Sequence, residues 1–179
     1  MGRWGPNHAA DFILTRWLRD QANGQKILNE DTKKPILQFV VIQRRKGDEW
    51  AIPGVTSLVD AGEDPAHAAQ REFLEEAMDS ENLEQNELED IMKLVKGMFD
   101  QGLLMYQGYV DDSRNTDNAW IETSAINCHA EFQEVDHCHL KAGSDAKNVA
   151  WIKITSSLNL FASHIDLIEA VANRHQAHW

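Results

Sequence analysis

The spacing of apolar residues changes several times along the chain, and each change marks an element. Residues 36–42 (ILQFVVI) are almost continuously apolar and β-branched, the pattern of a strand buried on both faces. Residues 12–17 also carry β-type side chains and predict a strand. Residues 2–11 (GRWGPNHAAD) read as turn-rich and irregular, because glycine and proline interrupt regular structure through Pro6. Turns are expected at 20–24 and 46–49, and 50–54 leads into a glycine loop. The period then becomes helical. Asp64 can cap free N–H groups and Pro65 fits a first helical position, after which Ala66, Ala69, Phe73 and Ala77 form one stripe. Leu88, Ile91, Met92, Val95, Met98 and Phe99 predict a second amphipathic helix over 84–99. Strands are expected at 103–110, 119–127 and 149–154, a His-rich polar loop at 131–146, a connection at 158–164 and a last helix at 165–173. No repeat or composition break divides the chain. The mixture implies an α/β or α+β class, with helices packed on a mixed sheet.

Composition narrows the classes. A chain of 179 residues, 42% hydrophobic and 26% charged, is globular and can bury a real core as one domain. Its net charge of −12 argues against non-specific nucleic-acid binding, yet an anionic substrate is compatible with it if metal ions and a few arginines supply local positive charge. No apolar run reaches the length of about 18 residues that spans a bilayer, so no direct membrane insertion is expected, and the start has no signal-peptide pattern. Two cysteines, Cys128 and Cys138, make no disulfide framework and point to a reducing compartment. The Cys128-His129 and His137-Cys138-His139 patch lacks the spacing of a structural zinc site.

Two stretches carry candidate chemistry. At about 100° per residue, Glu72, Glu75 and Glu76 lie together beside the apolar stripe. Like charges one turn apart repel, so their clustering suggests a hard divalent cation with oxygen ligands; a solvated acidic face is the alternative. The second stretch, 111–118 (DDSRNTDN), reads as a turn between strands. Arg114 is its exception, because a guanidinium fork can hold phosphate or carboxylate in a bidentate way.

The run from Glu63 through Arg71-Glu72-Phe73-Leu74-Glu75-Glu76 resembles the Nudix box: Glu, seven residues, Arg-Glu, an apolar residue, any residue, Glu-Glu. Around it GRWGPNHAAD, LQFVVIQR, WAIPG, GYVDDSRNTDNAWIET, ASH and a terminal His-Trp are similar to one Nudix branch. That branch holds the ADP-ribose pyrophosphatases and the homologous C-terminal domain of melastatin-type, ADP-ribose-gated cation channels. The resemblance implies the Nudix fold, a mixed sheet between helices with the box as loop–helix–loop. It also implies Mg²⁺ (or Mn²⁺) held by Glu72, Glu75 and Glu76, with Arg71 bracing the glutamates and Glu63 behind them. The implied reaction is hydrolysis of ADP-ribose to AMP and ribose 5-phosphate, and the implied substrate contacts are Asp112, Arg114, Phe161, Ser163 and His164. Core packing is the alternative role for Phe161, and helix capping for His164. Glu131, Glu134 and Asp136 are candidates for a general base. The alternative function is a sensor domain that binds ADP-ribose for a channel with weak or no turnover. Residues 1–179 would form a single catalytic lobe, lacking the family's N-terminal lobe. Its partners would be that lobe or the rest of a channel, and its location cytoplasmic or, alternatively, mitochondrial. The chain departs from the box where the expected glycines are Ser57 and Met78 and the final apolar residue is Asp79, with a glycine loop from Gly54 to Glu63 that is longer than usual.

Overall fold

A computed structural model describes residues 2–45, 49–55, 65–130, 140–143 and 146–179. The apolar run becomes strand β2 (Leu37–Arg44), and its alternate residues enter different cores. Val40 and Ile42 face one side of the sheet, while Leu37, Phe39 and Val41 face the other. Strand β1 (Gly5–Trp17) divides in the same way, with Ala10, Phe12 and Leu14 on the first side and Ile13 on the second. A strand buried on both faces needs cover on both, and helices supply it. Helices α1 (Pro65–Met78) and α2 (Gln85–Asp100) close the first side, and α3 (His164–Arg174) closes the second. The short strands β3 (Trp50–Ala51) and β4 (Gly54–Val55) precede α1. Strands β5 (Leu103–Val110), β6 (Ala119–His129) and β7 (Ala146–Lys153) follow α2.

The sheet runs β3-β2-β1-β6-β5, with β4 added on β1 and β7 on β2. It is mixed: β1 is parallel to β6, and the other pairs are antiparallel. The expected class, a mixed sheet between helices, is therefore the observed one.

Strand β1 corrects one expectation. It starts at Gly5, so the reading of 2–11 as irregular fails over Gly5–Asp11. Gly5 donates its N–H to the Asn118 carbonyl (2.8 Å), and the parallel register continues from Pro6↔Trp120 to Thr15↔His129. Successive N–H groups along a strand point to opposite sides, so the Pro6 nitrogen faces away from β6. On that side β4 reaches only Ala10–Asp11 and β2 only Thr15–Trp17, so no described strand asks Pro6 for a donor. Strand β7 also begins three residues earlier than expected, at Ala146.

Candidate active site

Helix α1 begins at Pro65, and Ala69, Phe73 and Ala77 of its stripe are fully buried. Phe73 meets Phe12 edge-to-face at 4.6 Å, and Phe12 stacks on Phe99 at 4.1 Å, which fixes the roll of the helix against β1. That roll leaves Glu72, Glu75 and Glu76 along the half-exposed edge. Arg71 Nη1 donates to Glu72 Oε1 at 2.9 Å and lies 3.4 Å from both Glu75 oxygens. Partial burial works against the Arg71 charge, but Glu72 and Glu75 outweigh it and raise its pKa above the ordinary value.

Glu76 turns inward, and its Oε2 accepts the Gly54 N–H at 3.0 Å. Gly54 is a glycine for a steric reason: a Cβ there would lie 2.6 Å from the Ala10 carbonyl oxygen and 3.0 Å from Asp11 Oδ1. Gly54 thus sits between the carboxylate of Glu76 and the buried Asp11 of β1.

Asp11 opens the second half of the site. Thr123 donates its hydroxyl to Asp11 Oδ2 (2.6 Å), and Asp11 Oδ1 lies 3.7 Å from His164 Nε2. Ile52 donates its N–H to His164 Nδ1 (3.0 Å), so the ring proton of neutral His164 is on Nε2, facing Asp11. Burial holds the His164 imidazole below the ordinary histidine range, against the opposing pull of Asp11. A cavity beside this pair is lined by Asp11, Asp112, Arg114, Thr123, Phe161 and Ser163, among others.

The polar stretch after β5 forms the wall of that cavity. Asp112 Oδ1 accepts Arg114 N–H (2.8 Å) and Nε–H (2.7 Å), and Oδ2 accepts Nη2–H (2.8 Å). Desolvation of Asp112 would raise its pKa, but these bonds to Arg114 and the charge of Arg44 overcome it and leave the carboxyl below its ordinary range. The same contact raises Arg114 above its ordinary value. Phe161 lies under the Arg44 guanidinium at 3.9 Å and 5.7 Å from that of Arg114. Phe161 also packs on the α1-side core, so the site and core readings of this ring both describe it. Ser163 precedes α3 and its side chain makes no cap; His164 is the first residue of that helix.

The structure thus gathers Asp112, Arg114, Phe161, Ser163 and His164 around one cavity, with Glu76 connected to it through Gly54 and Asp11. Glu72, Glu75 and Arg71 lie further out on the same helix edge. Asp11, Thr123, Arg44 and the Ile52 N–H escaped the sequence reading. Asp11 carried one signal, a charge inside an apolar strand (AADFIL); the other three carried none. Ser57, Glu63, Asp64, Glu131, Glu134, Asp136, His137, Cys138 and His139 lie outside the described residues. Cys128 is buried in the α1-side core, and burial pushes its thiol up to about 12.

The donors on α1 suit a hard divalent cation, being carboxylate oxygens with solvent access. Among the described residues no three acid, histidine or cysteine side chains converge enough to hold an ion. Arg71 Nη1 bridges Glu72 and Glu75, and the Gly54 N–H holds Glu76 toward β1.

The NUDIX domain family matches residues 19–152. The chain is 49% identical over 181 residues to the mitochondrial ADP-ribose pyrophosphatase of Rattus norvegicus, covering 100% of this chain and 51% of the rat protein. It is 44% identical to the transient receptor potential cation channel subfamily M member-like 2 of Nematostella vectensis, covering 99% of this chain and 11% of the channel. The chain thus spans about half of one relative and about a tenth of the other. Among solved structures, the NUDIX domain of Shewanella oneidensis NrtR, complexed with ADP ribose, superposes with a TM-score of 0.57 at 14% identity, covering 93% of this chain and 86% of that one. At that identity the match speaks for the fold alone.

Proposed function

The chain belongs to the NUDIX family, and on that premise we propose that it hydrolyses ADP-ribose to AMP and ribose 5-phosphate with the help of a divalent cation. The observation that carries this reading is the joining of an acidic helix edge to a guanidinium- and aromatic-lined cavity through Glu76, Gly54 and Asp11. Held by Glu72, Glu75 and Glu76, Mg²⁺ or Mn²⁺ would neutralise the diphosphate and acidify an attacking water. The chain's own residues supply position. Arg71 braces Glu72 and Glu75 by bridging their carboxylates. Asp112 fixes the plane of Arg114, so that the guanidinium presents a preset face to a phosphate or sugar oxygen. The Phe161 ring and the His164 Nε2–H complete a lining for the sugar and base ends. Identity to the rat pyrophosphatase across the whole chain supports the choice of ADP-ribose.

The second reading, an ADP-ribose-binding domain of a channel, is favoured by the 44% identity to the Nematostella protein. A cytoplasmic location fits that reading, and a mitochondrial one fits the hydrolase. Among the described residues no helix is long and apolar enough to cross a membrane.

The deciding experiment is AMP release from ADP-ribose with Mg²⁺, with and without EDTA, alongside calorimetric binding. The hydrolase reading expects release that EDTA abolishes. Binding without release would replace it with the sensor reading, and absence of both would sink ADP-ribose as the ligand.

A further inference from the structure

Two residues at the end of α1 depart from the family's box, Met78 and Asp79, and that end is fastened by a neighbouring segment. The last four carbonyls of a helix have no partner within it. Here the segment 140–143 runs parallel to the helix end, pairing Met78 with Lys141. Lys141 donates its N–H to the Ala77 carbonyl (2.8 Å), and Gly143 donates its N–H to the Glu76 carbonyl (3.0 Å). Gly143 has no room for a side chain, since a Cβ there would fall 1.7 Å from the Glu75 carbonyl oxygen. Asp79 stops the helix in the left-handed region (φ 50°), which Asp tolerates better than most residues. That bend aims its nearly buried carboxylate at Lys141 Nζ (2.6 Å), and Asn82 Nδ2 donates to its other oxygen (2.6 Å).

We propose that residues 140–143 and Asp79 form a latch on the last turn of α1, with Lys141, Gly143 and Asp79 as positioning residues for Glu75 and Glu76. Both glutamates belong to that last turn, and helix ends fray. A frayed turn would carry their carboxylates away from Glu72 on the preceding turn. The latch holds the backbone of Glu76 from one side, while the Gly54 N–H holds its side chain from the other. None of the three latch residues needs to touch substrate. The functional half of this inference rests on the cation-binding role proposed above for the glutamates.

The test uses the full chain and two readouts, hydrogen exchange of the α1 amides and Mn²⁺ titration followed by electron paramagnetic resonance. Lys141 is 66% exposed at its side chain, so Lys141→Met leaves the core untouched. The latch expects Lys141→Met and Asp79→Asn to speed exchange at residues 76–79 and to weaken Mn²⁺ binding about fivefold, the scale of one ion pair. Lys141→Arg should restore both, and Gly143→Ala should exceed both. Exchange in Lys141→Met and Asp79→Asn equal to wild type overturns the latch. A wild-type chain that binds no Mn²⁺ overturns the cation reading instead, and the exchange rates still decide the latch.

Discussion

The two halves of the site are built by opposite means. The glutamate edge comes from one helix turn and its neighbour, all within residues 71–76, and its side chains remain partly exposed. The cavity draws Asp11 from β1, Thr123 from β6, Asp112 and Arg114 from the β5–β6 connection, and Phe161 and His164 from the entry to α3. Asp112 with Arg114 and Asp11 with Thr123 are bonded in pairs before any ligand arrives, whereas Glu72 and Glu75 are bridged by a half-exposed Arg71. The difference suggests a division of labour: a preset cavity selects and orients, and a locally repulsive, adjustable edge supplies the charge that chemistry needs. If so, changes at the edge should reach turnover first, and changes in the cavity should reach affinity and stability first.

The largest expected effect breaks the comparison at its catalytic end. Glu72→Gln and Glu76→Gln should each lower kcat for ADP-ribose by at least about a hundredfold, as loss of a cation ligand does. KM should change little, and the thermal midpoint should stay near wild type because these side chains are not core. Steady-state kinetics and a melt on the same preparations check this. Near-normal kcat in both variants would remove the glutamates from the reaction.

The same contrast explains what the sequence could and could not disclose. The edge was legible because a helix converts spacing into adjacency: residues 72, 75 and 76 share a face whatever the rest of the chain does. The sheet was mostly legible too, since residues 36–42 show their burial in the apolar pattern and 103–110 their strand character, although the exposure of 103–110 at the sheet edge was not visible in its apolar residues. Strand β1 was half hidden, because Pro6 forbids a strand only where its nitrogen must donate, and that depends on which strands lie alongside. The cavity was illegible to spacing. Asp11 and Thr123 are 112 positions apart, as are Ile52 and His164, and only the parallel pairing of β1 with β6 and the return of α3 bring them together. Arg114 stood out as the one cation of its polar turn, Asp112 and His164 were named through resemblance, and their neighbours were missed because neither signal reached them. Gly143 likewise looks like an ordinary loop glycine until the Glu75 carbonyl is placed against it.

A middle-sized effect tests how rigidly the cavity is preset. Asp112 has a side chain only 4% exposed, so Arg114→Met leaves a buried carboxylate short of its main partner and should cost about 2 kcal/mol of stability. Asp112→Asn should also destabilise, and the double variant should lose less than the sum, with a coupling of about 1 kcal/mol or more. Denaturant melts of the four proteins complete the cycle, and simple additivity would mean that the pair is not one unit. Arg114→Lys is expected to resemble Arg114→Met in ADP-ribose affinity, because a point charge cannot reproduce the fork that meets both Asp112 oxygens.

The smallest effect separates the halves by pH. His164 is buried against Asp11, Arg44, Asp112 and Arg114, and burial keeps its folded pKa below the unfolded value. The folded chain therefore binds fewer protons than the unfolded chain once pH drops below about 6.5. The stability associated with a neutral His164 is present above that pH and is lost as pH falls toward the folded pKa, at up to about 1.4 kcal/mol per pH unit. His175, near Lys26 and Arg174, shifts in the same direction, also chiefly through burial, but with more solvent to screen it. The thermal midpoint should therefore fall between pH 7.5 and pH 5.5. His164→Asn should flatten most of the decline, although it removes the acceptor of the Ile52 N–H and lowers the midpoint at every pH. His175→Asn should flatten it less. A decline that persists unchanged in His164→Asn would place the acid sensitivity outside the cavity, and with it the claim that this half of the site is the one held in a fixed protonation state before ligand binds.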